Sequence, residues 1–124
     1  MLRDTDATAM IAVRDLEVAR RFYSDTLGFE VREREQGILS FDSGRTPVAL
    51  YVSKFAGTNR ANTLAWAVGD AFDDVVARVR AAGVIIERYD LPGLTLEGDV
   101  HVADGFKGVW FEDPDGNILH VNGR

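Results

Sequence analysis

The apolar positions of this chain follow two rhythms, one of period two and one of period three to four, and the order of the two repeats. Residues 8–13 set Ala9, Ile11 and Val13 against Thr8, Met10 and Ala12, the alternation of a half-buried strand. Beyond Asp15, the residues Leu16, Ala19, Tyr23 and Leu27 form one stripe with Glu17, Arg20 and Arg21 off it, which predicts a helix. The same order returns at an offset of 55. Leu64, Trp66 and Val68 alternate with Thr63, Ala65 and Ala67, and Phe72, Val75, Val76 and Val79 then fall at i, i+3, i+4 and i+7. Under that offset Thr8 meets Thr63, Ala12-Val13 meets Ala67-Val68, Asp15 meets Asp70, Gly28 meets Gly83 and Val31 meets Ile86, as an internal duplication requires. Asp15 and Asp70 read as N-caps, because a side-chain oxygen there can accept from free amides of the first turn. Gly28 and Gly83 read as the left-handed residues that end the helices.

Three strand-like runs follow each helix, at 29–34, 38–42 and 47–53 in the first half and at 84–89, 106–112 and 117–121 in the second. The chain is therefore expected to be α+β, with two βαβββ modules at about 6–54 and 61–124 inside one domain. Asp113-Pro114-Asp115-Gly116 predicts a tight turn before the last strand, since Pro fixes the φ that the turn needs and Asp and Gly suit its flanks. Its counterpart at 42–46 is one residue longer, and aligning the two turns brings Tyr51 opposite His120.

Side chains alternate across a strand, so the bulky sets should pack under the helices and leave the small and polar sets on a second face. Leu50 and Val52 contrast in this way with Ala49, Tyr51 and Ser53, and Leu119 and Val121 with Ile118, His120 and Asn122. Thr8, Tyr51, Thr63 and His120 are expected to converge on one concave surface. Phe106 and Trp110 share the inward face, where they either stack on a flat ligand or pack as ordinary core.

Composition narrows the chemistry. An apolar fraction of 46% with 27% charged residues is that of a folding chain. No apolar run is long enough for a membrane span, and Asp4 and Asp6 stand where a signal peptide needs a basic start, so the expected location is cytoplasmic. The absence of cysteine excludes disulfides and thiolate chemistry. A net charge of -6 argues against nucleic acid, whose phosphates demand a basic face.

Two stretches, 12–31 (A-V-R-D-L-E-V-A-R-R-F-Y-S-D-T-L-G-F-E-V) and 111–120 (F-E-D-P-D-G-N-I-L-H), resemble the vicinal oxygen chelate superfamily, that is, the glyoxalase/bleomycin resistance/extradiol dioxygenase proteins. The resemblance spans nearly the whole chain and implies a curved mixed sheet around a cavity. It also implies that metal-dependent members place ligands, often His or Gln, Glu, His and Glu, at positions that fall here on Thr8, Tyr51 (with Leu50 as the alternative), Thr63 and His120. Only His120 is an ordinary ligand, and a divalent ion takes three or four good ones. No cofactor is expected, and a metal, if bound, would have to be held at His120.

The leading expectation is a small-molecule binding protein or a metal-independent enzyme, taking a small organic ligand between the modules and assembling as a homodimer. In an enzyme, His120 would be the general base and Tyr51 a hydrogen-bond donor to a carbonyl or oxyanion, with Thr8 and Thr63 orienting the substrate. His101, in the long stretch 91–105, reads either as a solvent-exposed loop residue or as part of a lid over the pocket. A second expectation is sequestration of a cationic glycopeptide drug, as in bleomycin resistance, with Glu97, Asp99 and Asp104 near the lid. A third is a divalent-metal-dependent lyase or dioxygenase with an unusual site of His120, Tyr51 and His101.

Overall fold

The computed structural model describes all residues 1–124 and divides into two compact units, Met1–Thr58 and Asn59–Arg124. The duplication seen in the sequence is thus also a division in space.

In the first unit the strands are β1 (Ala9–Val13), β2 (Val31–Glu35), β3 (Ile38–Ser43) and β4 (Thr46–Val52), in the order β1-β4-β3-β2. Strand β1 runs parallel to β4 and the other pairs are antiparallel. Helix α1 (Leu16–Arg20) starts at Asp15, whose Oδ1 accepts from the amides of Glu17 and Val18 at 2.9 and 3.0 Å, as a cap should. It continues as a π-helical turn, Arg21–Thr26, and ends at Gly28 with φ +88°. Ile11, Val13, Ala19, Tyr23, Leu39, Phe41, Val48 and Leu50 are buried together, each removed from water at a gain of about 1.5–3 kcal/mol for the larger ones. Thr8 lies just before β1 and is exposed, and Tyr51 is half-buried on the sheet face opposite Leu50.

In the second unit the order is β5-β9-β8-β7-β6, formed by β5 (Asn62–Ala67), β6 (Thr95–Glu97), β7 (Val100–Ala103), β8 (Phe106–Glu112) and β9 (Ile118–Gly123). The pairing again begins with a parallel pair, β5 with β9. Helix α2 (Phe72–Ala81) lays Phe72 and Val76 on Val109, Phe111, Leu119 and Val121, all buried. Gly123 permits that approach, because a Cβ there would lie 2.8 Å from the Phe72 Cβ and overlap the Gly69 carbonyl. No helix is long and apolar enough to cross a membrane.

Three expectations are corrected in this unit. Asp70 does not cap α2: Gly69, at φ +55°, turns the chain into a short 3-10 turn, Gly69–Ala71, and the Asp70 carboxylate accepts instead from Arg124 Nε at 3.1 Å. The run 84–89 is not a strand. It touches β8 through one bridge, Glu87 with Trp110, because β7 already occupies that edge of β8 at Lys107 and Gly108. The stretch 91–105 is not an open lid either, since it holds the hairpin β6–β7, and His101 on β7 is only 1% exposed.

Candidate functional site

Strands β8 and β9 are antiparallel neighbours in the register Gly108–Asn122, Trp110–His120, Glu112–Ile118. Val109, Phe111, Leu119 and Val121 face α2, so alternation turns Phe106, Gly108, Trp110 and Glu112 of β8 to the other face with Ile118 and His120 of β9. The register of β7 adds His101, opposite Gly108. That of β5 places Ala65 beside His120 and, across an irregularity at Thr63, Asn62 beside Ile118.

Aromatic rings fill the middle of this face. His120 stacks on Trp110 with centroids 4.1 Å apart and planes 20° from parallel, and Phe106 lies on its other side at 6.4 Å and 27°. Gly108 leaves room for them: a Cβ there would lie 2.9 Å from the Phe106 ring and 3.0 Å from His120 Cε1. Gly108→Ala is accordingly expected to cost about 1 kcal/mol, because only ring edges must shift. It should also move the Trp110 indole N–H resonance in a nitrogen-proton correlation spectrum, and an unmoved resonance would show that the column is not held by this clearance.

The hydrogen bond from His120 fixes its tautomer. Nδ1 lies 3.0 Å from the Val109 carbonyl, which can only accept, so Nδ1 carries the proton and Nε2 keeps a free lone pair. Burial lowers the His120 pKa, the neighbouring His101 lowers it further, and the Val109 bond works against both. The ring is therefore neutral at pH 7.

Trp110 is held from its other end. Its Nε1–H donates to Asn62 Oδ1 at 3.0 Å, and because β9 lies between β8 and β5, the indole reaches across β9. His101 meets Trp110 edge-on at 4.8 Å and 82°, and Tyr89 does so at 5.9 Å and 68°. Beside this indole opens a hollow of about 460 Å³, lined by Arg60, Asn62, Tyr89, Leu91, Trp110, Glu112 and Ile118. His120 is not in that lining. The Tyr89 hydroxyl stays protonated well above neutrality, because burial and then the charges of Glu87 and Glu112 raise its pKa.

Of the residues singled out in the sequence, Phe106, Trp110, His101 and His120 come together here, Thr63 lies on β5 at the irregularity in its pairing with β9, and Thr8 and Tyr51 belong to the first unit. Sequence reading put Ile118 on the face of His120 but missed Arg60, Asn62, Tyr89, Leu91 and Glu112. Glu112 shares the parity of Trp110, so alternation alone would have found it. Arg60 and Leu91 lie outside the strands and carry no such signal.

A mixed sheet that opens on a parallel pair and carries a helix on one face, present twice in one chain, defines a glyoxalase-like fold. The chain belongs to the Glyoxalase/Bleomycin resistance protein/Dioxygenase superfamily, whose model matches residues 7–121. Among solved structures, a glyoxalase family protein from Bacillus anthracis gives a TM-score of 0.72 at 19% identity, covering 98% of this chain and 95% of that one. A glyoxalase/bleomycin resistance protein/dioxygenase from Alicyclobacillus acidocaldarius gives 0.73 at 19%, covering 97% and 91%. A virulence protein from Salmonella typhimurium gives 0.65 at 20%, covering 99% and 98%. At such identities the likeness establishes the fold. No curated protein matches the sequence significantly.

The residues present do not fit the divalent metal that some members of such a superfamily hold. In neither unit do three His, Asp or Glu side chains cluster as ligands. His120, whose Nδ1 is bonded to Val109 and whose Nε2 keeps its lone pair, is the one good donor among the four aligned positions, and a single imidazole beside two threonines and a tyrosine does not make the three or four ligands that a divalent ion takes.

Proposed function

We propose that the second unit binds a small organic ligand in the hollow beside Trp110, without a metal of its own. One observation carries this reading. The indole is fixed at its nitrogen by Asn62 and backed on one face by His120, so a rigid aromatic surface borders a hollow whose other walls are Tyr89, Leu91 and Ile118. A volume of about 460 Å³ suits a molecule of drug-like size, and a few polar groups around an apolar surface are the usual make-up of such sites. Arg60 in the lining weighs against an entirely cationic ligand such as a glycopeptide drug.

The test uses chelator-treated, nitrogen-labelled protein and a library of small aromatic and aliphatic fragments. Fragments should shift the indole N–H of Trp110 and leave that of Trp66 unmoved. Shifts that appear only after zinc or magnesium ions are restored would overturn the metal-free reading.

A second reading, a metal-independent enzyme with His120 as general base, is supported by the free Nε2 lone pair on a ring held neutral. It yields a pH prediction. Because burial lowers the folded-state pKa of His120, the unfolded chain takes up the proton first as pH falls. Its contribution to stability is complete above the unfolded value of about 6.5, declines as pH drops from there to the lowered folded value, and is level below it. Urea midpoints measured from pH 8 to 5 should fall for the wild type and fall less steeply for His120→Gln. Parallel curves would mean that His120 is not titrating as a buried neutral ring.

A further inference from the structure

We infer that the ligand of this hollow is an aromatic zwitterion: one flat ring with an anionic group at one end and a cationic group at the other. The inference rests on the binding reading above and adds the ligand's chemical class.

The shape comes first. The indole of Trp110 and the side chains of Tyr89, Leu91 and Ile118 line the hollow together, two aromatic and two aliphatic groups against which a flat ring packs with little loss of freedom. The charges come next. Arg60 and Glu112 both line the hollow, and neither has an ion-pair partner. The register sets the spacing of the two strands from which they reach in. Asn62 on β5 is aligned with Ile118 on β9, and Ile118 with Glu112 on β8, so Asn62 and Glu112 stand two strand spacings apart, roughly 10 Å. Arg60 enters from the β5 side, two residues before Asn62. A benzene ring with charged groups at its two ends, each at hydrogen-bond distance from its partner, spans about that gap.

Opposed charges also decide against simpler ligands. A lone anion drawn to Arg60 would feel Glu112, and Glu87 as well, since both already act on Tyr89 from nearby. A lone cation drawn to Glu112 would feel Arg60. Only a molecule carrying both signs, the anion toward β5 and the cation toward β8, meets attraction at each end. The protonated Tyr89 hydroxyl adds a donor in the same wall.

Four probes separate the terms: 4-(aminomethyl)benzoate, benzoate, benzylamine and benzyl alcohol, titrated into the full chain at pH 7 and low salt while the Trp110 indole N–H is followed. The zwitterion should bind about fivefold more tightly than either singly charged probe, the scale of one exposed ion pair. Arg60→Gln should erase its advantage over benzylamine, and Glu112→Gln its advantage over benzoate. Both residues are exposed, and a dispersed spectrum of each variant confirms its fold. Equal affinity for all four probes, or tightest binding of a singly charged one, would overturn the zwitterion while leaving the hollow as a binding site. If neither these probes nor any fragment of the library moves the Trp110 signal, the binding reading itself fails.

Discussion

Replacing Asp113 by alanine is expected to lower the unfolding free energy by about 3–5 kcal/mol, a large share of what a domain of this size has to lose. The carboxylate is 5% exposed. Its Oδ1 accepts from the amides of Asp115 and Asn117, both at 2.9 Å, and its Oδ2 accepts from Asn117 Nδ2 at 2.8 Å. Hydrogen bonds to a charged acceptor contribute about 1.5–3 kcal/mol each, less when they share one group, and alanine would take this acceptor from the buried Asn117. Asp113→Asn keeps one carbonyl oxygen and should cost about half as much. Urea denaturation followed by circular dichroism reads both values, and a loss under about 1 kcal/mol for the alanine variant would show that the turn repairs itself. The consequence reaches the site, because this turn sets the β8–β9 register that places Trp110 against His120. A slip of one residue would carry His120 to the helix face.

That turn also shows what was legible in the sequence. Asp-Pro-Asp-Gly has one reading, and the structure bears it out, with Gly116 at φ +91° and its amide bonded to the Asp113 carbonyl. The duplication was equally plain, because strand and helix periods recur at a fixed offset and the units divide between Thr58 and Asn59. Carrying details from one repeat to the other was less secure. Asp15 caps a helix, but Asp70 follows Gly69, whose left-handed backbone winds a tighter turn first. The hairpin β6–β7 was missed although Gly98-Asp99 between alternating residues is a two-residue turn signal; the length of 91–105 suggested a lid instead. Val84, Ile85 and Ile86 have the composition of a strand, yet the edge they would pair with is partly taken by that hairpin. Such competition depends on long-range pairing that local pattern does not carry. The site divides in the same way: strand parity gave Phe106, Trp110 and His120 their common face, while the wall formed by Tyr89 and Leu91 depends on how the unpaired segment is held.

What holds that segment is His101, and its replacement is the second large effect expected. The ring is almost fully buried, and Nε2 lies 3.0 Å from the Tyr89 amide nitrogen and 3.1 Å from the Tyr89 carbonyl. One nitrogen cannot serve both, since it accepts from the amide without a proton and donates to the carbonyl with one. Nδ1 is buried with no partner in either state. The imidazole therefore stands in for the strand neighbour that 84–89 lacks, and it fixes Tyr89 beside Trp110. His101→Ala removes this bond and leaves a void, a loss of about 3 kcal/mol. His101→Phe fills the space but strands the Tyr89 backbone groups, at a cost of about 1–2 kcal/mol. The gap between the two variants separates packing from hydrogen bonding, and hydrogen exchange at the Tyr89 amide should quicken in both. A phenylalanine variant as stable as the wild type, with that amide still protected, would mean that the wall of the hollow is held by packing alone.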